Sequence, residues 1–239
     1  MYLFRMSSSE SSTLIVVGTP LNEGATLGSE AVQALKHSSV LIGESRSVSL
    51  RLLKSAGIVI ESKTFFFLDH LKQQEWLELK KLIETMRRTG GSIALFADGG
   101  MPILFDPGKE ILSLCRNLGF SIHSVAGPMS WSVACAMSGW DPPFLVEGFL
   151  PRKTEERMKK IESLKNRSEK IVLMDTPYRF RSLIDQLSKV LETDRKVFLA
   201  WEIGNTEERF VWESLGDLRV YCDREHLRKG EFILIVSSA

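Results

Sequence analysis

The sequence predicts two α/β domains with mixed, mostly parallel sheets and a cleft between them. Three observations predict it. Short apolar runs alternate with helix-spaced segments along the chain, the pattern of strand–helix units. The early runs stop at loops rich in Gly or Pro: Gly18-Thr19-Pro20, Gly43-Glu44-Ser45, Asp98-Gly99-Gly100 and Ala126-Gly127-Pro128. The alternation is then interrupted at Trp140-Asp141-Pro142-Pro143, in a chain of 239 residues that can hold two modest domains. The expected division is a disordered tail over 1–12, an N-terminal domain over 13–141 and a C-terminal domain over 142–239.

The opening stretch MYLFRMSSSESST is Ser-rich and lacks the apolar core of a secretory signal, so it reads as a tail. Leu14–Val17 is a β-branched run and hence a buried strand. Leu27, Ala31, Ala34 and Leu35 have helical spacing. Val40–Ile42 is a strand, and Val48, Leu52 and Leu53 suit a helix after it. Ile58–Ile60 and Thr64–Leu68 read as short extended runs. A helix over Leu71–Thr89 ends at Gly90-Gly91. Ile93–Ala97 is a buried strand, Pro107–Asn117 a helix with Pro107 in its first turn, and Ser121–Val125 a strand. A small, apolar helix starts near Ser130.

Beyond the boundary, Phe144–Leu150 is a strand, Thr154–Lys165 a charged helix and Lys170–Met174 a strand. Leu183, Ile184, Leu187 and Leu191 mark another helix. Val197–Trp201, Arg209–Glu213 and Phe232–Val236 are strands.

Composition excludes several classes. The chain is 44% hydrophobic and 26% charged with a net charge of +1, so no global basic footprint points to nucleic acid. Cys115, Cys135 and Cys222 are scattered and lack C-x-x-C, which excludes a disulfide framework and suits a reducing cytoplasm. The four histidines have no metal-ligand spacing. No apolar run approaches the roughly 18 residues of a membrane span. Phosphate-loop, dinucleotide-fingerprint and serine-hydrolase motifs are absent.

What remains is a set of polar loops at strand ends, which is where open α/β sheets bind ligands. Gly and Pro there expose backbone groups beside few fixed charges. Such a lining suits a cationic, zwitterionic or nucleoside-containing ligand rather than a polyphosphate. Each loop also has a plain structural reading. Asp98-Gly99-Gly100 can be a tight connection, Glu44 a carboxylate favoured by a helix N-terminus, and Tyr178 a lid packed on the Pro177 turn. Arg152–Lys170 carries eight Lys/Arg against four Glu, which is either a solvated helix face or a phosphate-neutralising edge of Arg152, Lys153, Arg157 and Lys160.

Six motifs occur in a telling order: G-T-P from Gly18, SIALFADGGMPILFDPG over Ser92–Gly108, A-G-P-M-S from Ala126, F-L-V-E-G-F-L-P-R-K from Phe144, M-D-T-P-Y-R from Met174 and G-E-F from Gly230. In this order the chain resembles the tetrapyrrole methylase superfamily over nearly all of residues 13–237, and most of all its branch that 2′-O-methylates a cytidine of small-subunit ribosomal RNA. The resemblance implies a tetrapyrrole methylase-like fold, S-adenosylmethionine held in the interdomain cleft, and a cytoplasmic homodimer off the membrane acting on ribosomal RNA or the small subunit. It implies cofactor contacts at Pro20, Asp98, Gly99, Gly100, Met101, Met129, Ser130, Met174, Asp175 and Gly204, with no metal. It puts a catalytic base at Glu44. Acceptor contacts are expected at Arg46, at Tyr178 and Arg179 of the Pro177 loop, and at Arg152 and Lys153 of the basic edge. The pattern departs in places: G-E-S-R stands for A-E-D-T-R, Asp98-Gly99-Gly100-Met101-Pro102 for D-A-G-T-P, Leu68-Asp69-His70-Leu71 for a His/Asn-rich segment, and Glu202-Ile203-Gly204-Asn205 for E-L-T-K. A methyltransferase acting on a tetrapyrrole or other small molecule, or an S-adenosylmethionine-binding protein without turnover, are the alternative readings.

Overall fold

Five apolar runs of the first half form one wholly parallel sheet. In the computed structural model, which describes residues 12–22 and 24–239, these are β1 (Ser12–Val17), β2 (Val40–Gly43), β3 (Thr64–Phe67), β4 (Gly91–Phe96) and β5 (Ser121–Val125). Their order is β3-β2-β4-β1-β5. The helices between them are α1 (Ser29–His37), α2 (Arg46–Ser55), α3 (Gln73–Thr89) and α4 (Lys109–Asn117).

Strand alternation sends side chains to two cores. Leu14, Val16, Val40, Ile42, Ile93 and Leu95 meet Leu79, Ile83 and Met86 of α3 and Ile111 and Cys115 of α4. Ile15, Val17, Leu41, Ala94 and Phe96 meet Ala31, Ala34 and Leu35 of α1 and Leu53 of α2. Each fully buried Leu or Ile contributes about 1.5–3 kcal/mol, so both faces are firmly covered. The placement follows handedness. Connections through α1 and α2 step towards β3, those through α3 and α4 step towards β5, and right-handed crossovers put the two pairs on opposite faces.

The second half forms a mixed sheet ordered β6-β7-β10-β8-β9. Its strands are β6 (Phe144–Phe149), β7 (Lys170–Met174), β8 (Lys196–Trp201), β9 (Arg209–Ser214) and β10 (Phe232–Val236). Only β6 and β7 run parallel; β10 is antiparallel to β7 and β8, and β9 to β8. The helices are α5 (Ser130–Ser138), α6 (Thr154–Leu164), α7 (Phe180–Leu187) and α8 (Leu215–Arg224), with a 3-10 turn at Pro177–Arg179. One face packs on α6, α7 and α8 through Ile161, Leu183, Leu187, Leu215 and Leu218. Ala134 of α5 meets Val172, Met174, Phe198 and Ile233 on the other. The two sheets together are mixed and mostly parallel, as predicted.

The chain divides into compact units after Pro128, and α5 packs on the second sheet. Some local expectations are corrected. The predicted tail lies outside the described residues except Ser12, which is 4% exposed and begins β1, donating its hydroxyl to the Met86 carbonyl at 2.6 Å. Ile58–Ile60 joins no sheet, and Ile58 alone is buried there. Pro107 precedes α4 instead of opening it, since Gly108 at φ 121° is the residue that caps the helix. The helix α8 was not foreseen.

Candidate active site at the end of the first sheet

The central strand β4 lies between β1 and β2, and all three are parallel. The chain leaves β1 and β2 towards one face and β4 towards the other, so the topological switch point, where such sheets bind ligands, falls at the carboxyl end of β4. Ala97-Asp98-Gly99-Gly100 occupies that place. The sheet topology therefore singles out the stretch that the sequence emphasised.

The surrounding backbone is tightly tied. Thr19 and Gly100 form an antiparallel bridge, with N–H···O distances of 2.9 Å from Thr19 to Gly100 and 3.1 Å in return. The Thr19 hydroxyl donates to the Ala97 carbonyl at 3.2 Å, and Met101 N–H donates to the Pro128 carbonyl at 3.1 Å. Gly100 sits at φ 88°, where side chains are strained. Gly18 and Gly127 touch through their backbones: a Cβ on Gly18 would lie 2.4 Å from the Gly127 Cα. Pro20, Asp98, Gly99, Gly100 and Met101 are thus brought together around one fixed loop pair.

Four carboxyls gather beside it. Asp98 N–H donates to Glu44 Oε2 at 3.0 Å. Asp98 in turn accepts from Ser45 N–H at 3.1 Å and from Ser45 Oγ at 2.5 Å. Ser45 is the N-cap of α2 yet makes no side-chain cap bond, because its hydroxyl serves Asp98. The helix N-terminus favours that carboxylate. Burial pushes Glu44 up, its bond from Asp98 N–H opposes this, and the charges of Asp98 and Asp69 add to the rise. Burial first, then the charges of Glu44 and Asp98, push Asp106 up to about 7. Asp106 is the site residue that sequence reasoning missed, although it stands inside the Ser92–Gly108 stretch. Arg46, the first residue of α2, is exposed and lies 5.5 Å from the Phe67 ring centre. Among the described residues, no group of three His, Cys, Asp or Glu could hold a metal ion.

The cofactor candidates and the acceptor candidates of the second unit form a separate set. Met174 ends β7, and Gly204 lies in the turn after β8, where its N–H donates to Glu208 Oε2 at 2.6 Å. The ladders Met174–Ile233 and Trp201–Phe232 put both at one end of the second sheet. Met129 caps α5 and accepts the Ser132 hydroxyl at 2.8 Å, with Ser130 next to it. Asp175 is 5% exposed and its carboxylate is engaged by Arg157 at 2.6 Å and by Thr176 N–H at 2.8 Å.

That pairing corrects the basic edge. Arg157 is 2% exposed and also donates to the Pro151 carbonyl at 2.9 Å, so it is a structural ion-pair member and not a phosphate contact. Lys160 is paired with Glu147 at 2.8 Å. Arg152 is exposed, and Lys153 is exposed beside Glu156 at 3.2 Å. Tyr178 is no packed lid, being 77% exposed, and Arg179 is half-buried in the same turn.

Comparison with known proteins agrees with this architecture. Residues 13–219 match the family of Tetrapyrrole (Corrin/Porphyrin) Methylases. Among curated relatives, the Ribosomal RNA small subunit methyltransferase I of Pasteurella multocida is 30% identical over 226 residues, covering 93% of this chain and 78% of that protein. Its counterpart from Leptospira borgpetersenii is 30% identical over 229 residues, covering 94% and 87%. Among solved structures, the uroporphyrin-III-C-methyltransferase from Thermus thermophilus superposes with a TM-score of 0.61 at 17% identity, covering 95% and 94% of the two chains. A cobalt precorrin-4 methyltransferase gives 0.65 at 15% identity, with 95% and 94% covered. With its switch-point loop at Asp98-Gly99-Gly100 and this match over most of its length, the chain belongs to the tetrapyrrole methylase family of methyltransferases.

Proposed function

We propose that this protein transfers a methyl group from S-adenosylmethionine to a ribose 2′-hydroxyl of small-subunit ribosomal RNA. The observation that carries the reading is the loop pair at the end of β4, held by the Thr19–Gly100 bridge beside Glu44, Asp98 and Asp106. The curated relatives, named for methylation of small-subunit ribosomal RNA, supply the acceptor class.

The residues present fit the cofactor. Gly99 and Gly100 bring bare backbone to the switch point, and a Cβ at Gly100 would come 3.1 Å from the Pro128 carbonyl oxygen. The neighbouring carboxyls suit a ligand that carries a sulfonium and an ammonium charge. Pro20 and Asp98 to Met101 would hold it, with Met129, Ser130, Met174, Asp175 and Gly204 as further contacts. When bound, S-adenosylmethionine supplies an electrophilic methyl group.

The chain's own residues then position and deprotonate. Ser45 fixes both oxygens of Asp98, and Asp98 N–H fixes one oxygen of Glu44, so neither side chain must be ordered during turnover. Glu44 is raised chiefly by burial, and Asp106 is raised to about 7 by burial and then by the charges of Glu44 and Asp98. The acceptor hydroxyl gives its proton to Glu44, whose raised basicity suits a general base, with Asp106 beside it. Arg46, Arg152, Lys153, Tyr178 and Arg179 contact the acceptor.

The working form is a homodimer in the cytoplasm. The exposed Met137 of α5 and Trp212, which donates to the Ser138 carbonyl at its end, support a subunit contact. Radiolabelled methyl transfer to undermethylated small ribosomal subunits, run against a panel of tetrapyrrole precursors, tests the reading. Label in the RNA is expected; label only in a macrocycle overturns the acceptor.

A further inference from the structure

We propose that Tyr178 and Lys229 form a stacking platform for one unstacked base of single-stranded RNA. The proposal rests on the RNA reading above and names how the second unit would grip that substrate. Tyr178 is 77% exposed, above every other large hydrophobic or aromatic side chain that stands out from the described surface. Burial usually claims such a ring, and its hydroxyl does not need this much solvent. Lys229 Nζ lies 4.1 Å from the ring centre, so a cation already sits at the aromatic surface.

The platform is stiff. Tyr178 occupies the 3-10 turn Pro177–Arg179, where Arg179 N–H donates to the Thr176 carbonyl at 2.9 Å. The turn is anchored to Asp175, which Arg157 holds from inside the fold. On the opposite side, Lys229 precedes Gly230, whose backbone runs so close to Trp201 that a Cβ would lie 2.2 Å from the indole. A preset aromatic ring loses little freedom when a base stacks on it.

Topology also collects charge at this end of the sheet. The ends of β6 and β7 and the start of β10 are neighbours, which places Arg152, Lys153, Arg179, Arg228 and Lys229 around the same rim. The acidic groups nearby are largely engaged. Asp175 is held by Arg157, Glu156 by Lys153, Glu208 by Gly204 N–H, and Glu202 by Glu231 N–H at 2.7 Å and by Asn205 at 2.9 Å; Glu231 remains as a counter-charge. Cations that follow a backbone around an exposed ring are the arrangement that binds single strands, whose bases are free to stack. A duplex, with its bases already stacked, gains nothing from the ring.

The test uses the full chain and its Tyr178→Ala, Tyr178→Phe and Lys229→Ala variants. Each is titrated with a fluorescein-labelled single-stranded oligocytidylate and with duplex RNA of equal length, and each is assayed for methyl transfer to undermethylated small subunits. Tyr178→Ala is expected to weaken single-strand binding about tenfold or more while duplex binding stays. Tyr178→Phe, which keeps the ring, should remain within about twofold of wild type. Lys229→Ala should flatten the log–log salt dependence by about 0.7. Unchanged single-strand affinity in Tyr178→Ala overturns the platform. If the wild type methylates the subunits and Tyr178→Ala does so with the same KM, the platform falls and the RNA reading stands. If the wild type neither binds nor methylates RNA, both fall.

Discussion

Replacing Asp106 by Asn probes the carboxyl pair through stability, independently of any substrate. In the folded chain Asp106 is raised from 3.8 to about 7, chiefly by burial and then by the charges of Glu44 and Asp98. A raised carboxyl favours the protonated folded state. Its penalty is therefore absent below about pH 4 and grows as pH rises towards 7. Each tenfold change in acidity is worth about 1.4 kcal/mol, which sets an upper bound of about 4 kcal/mol. Asp106 is only half-buried, and solvent screening reduces this to about 1–2 kcal/mol. Asn matches the neutral carboxyl in shape and carries no charge. Urea unfolding should thus leave wild type and variant alike at pH 4 and favour the variant by about 1–2 kcal/mol at pH 8.5. With a slope of about 2 kcal/mol per M, the midpoint moves up by about 0.5–1 M. An equal change at both pH values, or a variant less stable at pH 8.5, would refute the placement of Asp106 among the carboxyls.

Glu44→Gln keeps an oxygen for Asp98 N–H but removes the base, so turnover should drop by roughly 10²–10⁴ with S-adenosylmethionine affinity unchanged in calorimetry; unaltered turnover would make Glu44 an orienting residue. Gly18→Ala forces a methyl against the Gly127 backbone and should cost about 1–3 kcal/mol in denaturant unfolding, with a neutral result excluding the observed contact. Arg157→Met leaves the Asp175 charge buried without its partner and should cost about 3–5 kcal/mol, most of it regained when Asp175→Leu is added. A double variant as unstable as the single one would show that the pair is more than an isolated ion pair.

Four strands of the first sheet were legible as short apolar runs stopped by loops with Gly or Pro, and β3 as the aromatic run Thr64–Phe67 that no glycine ends, while the strand order was not read. The second sheet was legible as strands but not as directions. A fully buried run such as Phe232–Val236 reads the same in a parallel or an antiparallel ladder, and here it is antiparallel. The helix α8 carries Leu215, Leu218 and Cys222 at helical spacing, but Gly216 and the surrounding charges blur that stripe. Arg157 lay hidden in a charge run, although its spacing to Ile161 and Leu164 puts it on the buried face of α6. The loops of the candidate site were visible as Gly and Pro after apolar runs. Asp106 was not singled out, because nothing local distinguishes a carboxyl in a Pro-Gly turn from one folded back beside Glu44. Tyr178 read as an acceptor contact with a packed lid as the plain alternative, since an aromatic after proline ordinarily packs, and this one stays in solvent.

The central claim is a ribose 2′-hydroxyl acceptor, since that hydroxyl is what makes a base at Glu44 necessary. The direct measurement is nucleoside mass spectrometry with alkaline hydrolysis of small-subunit RNA after incubation with the protein and labelled S-adenosylmethionine. A 2′-O-methyl group blocks attack on the adjoining phosphodiester, so the account predicts a labelled, alkali-resistant dinucleotide whose yield collapses with Glu44→Gln. Label found on a nucleobase, in an alkali-labile product, would contradict it.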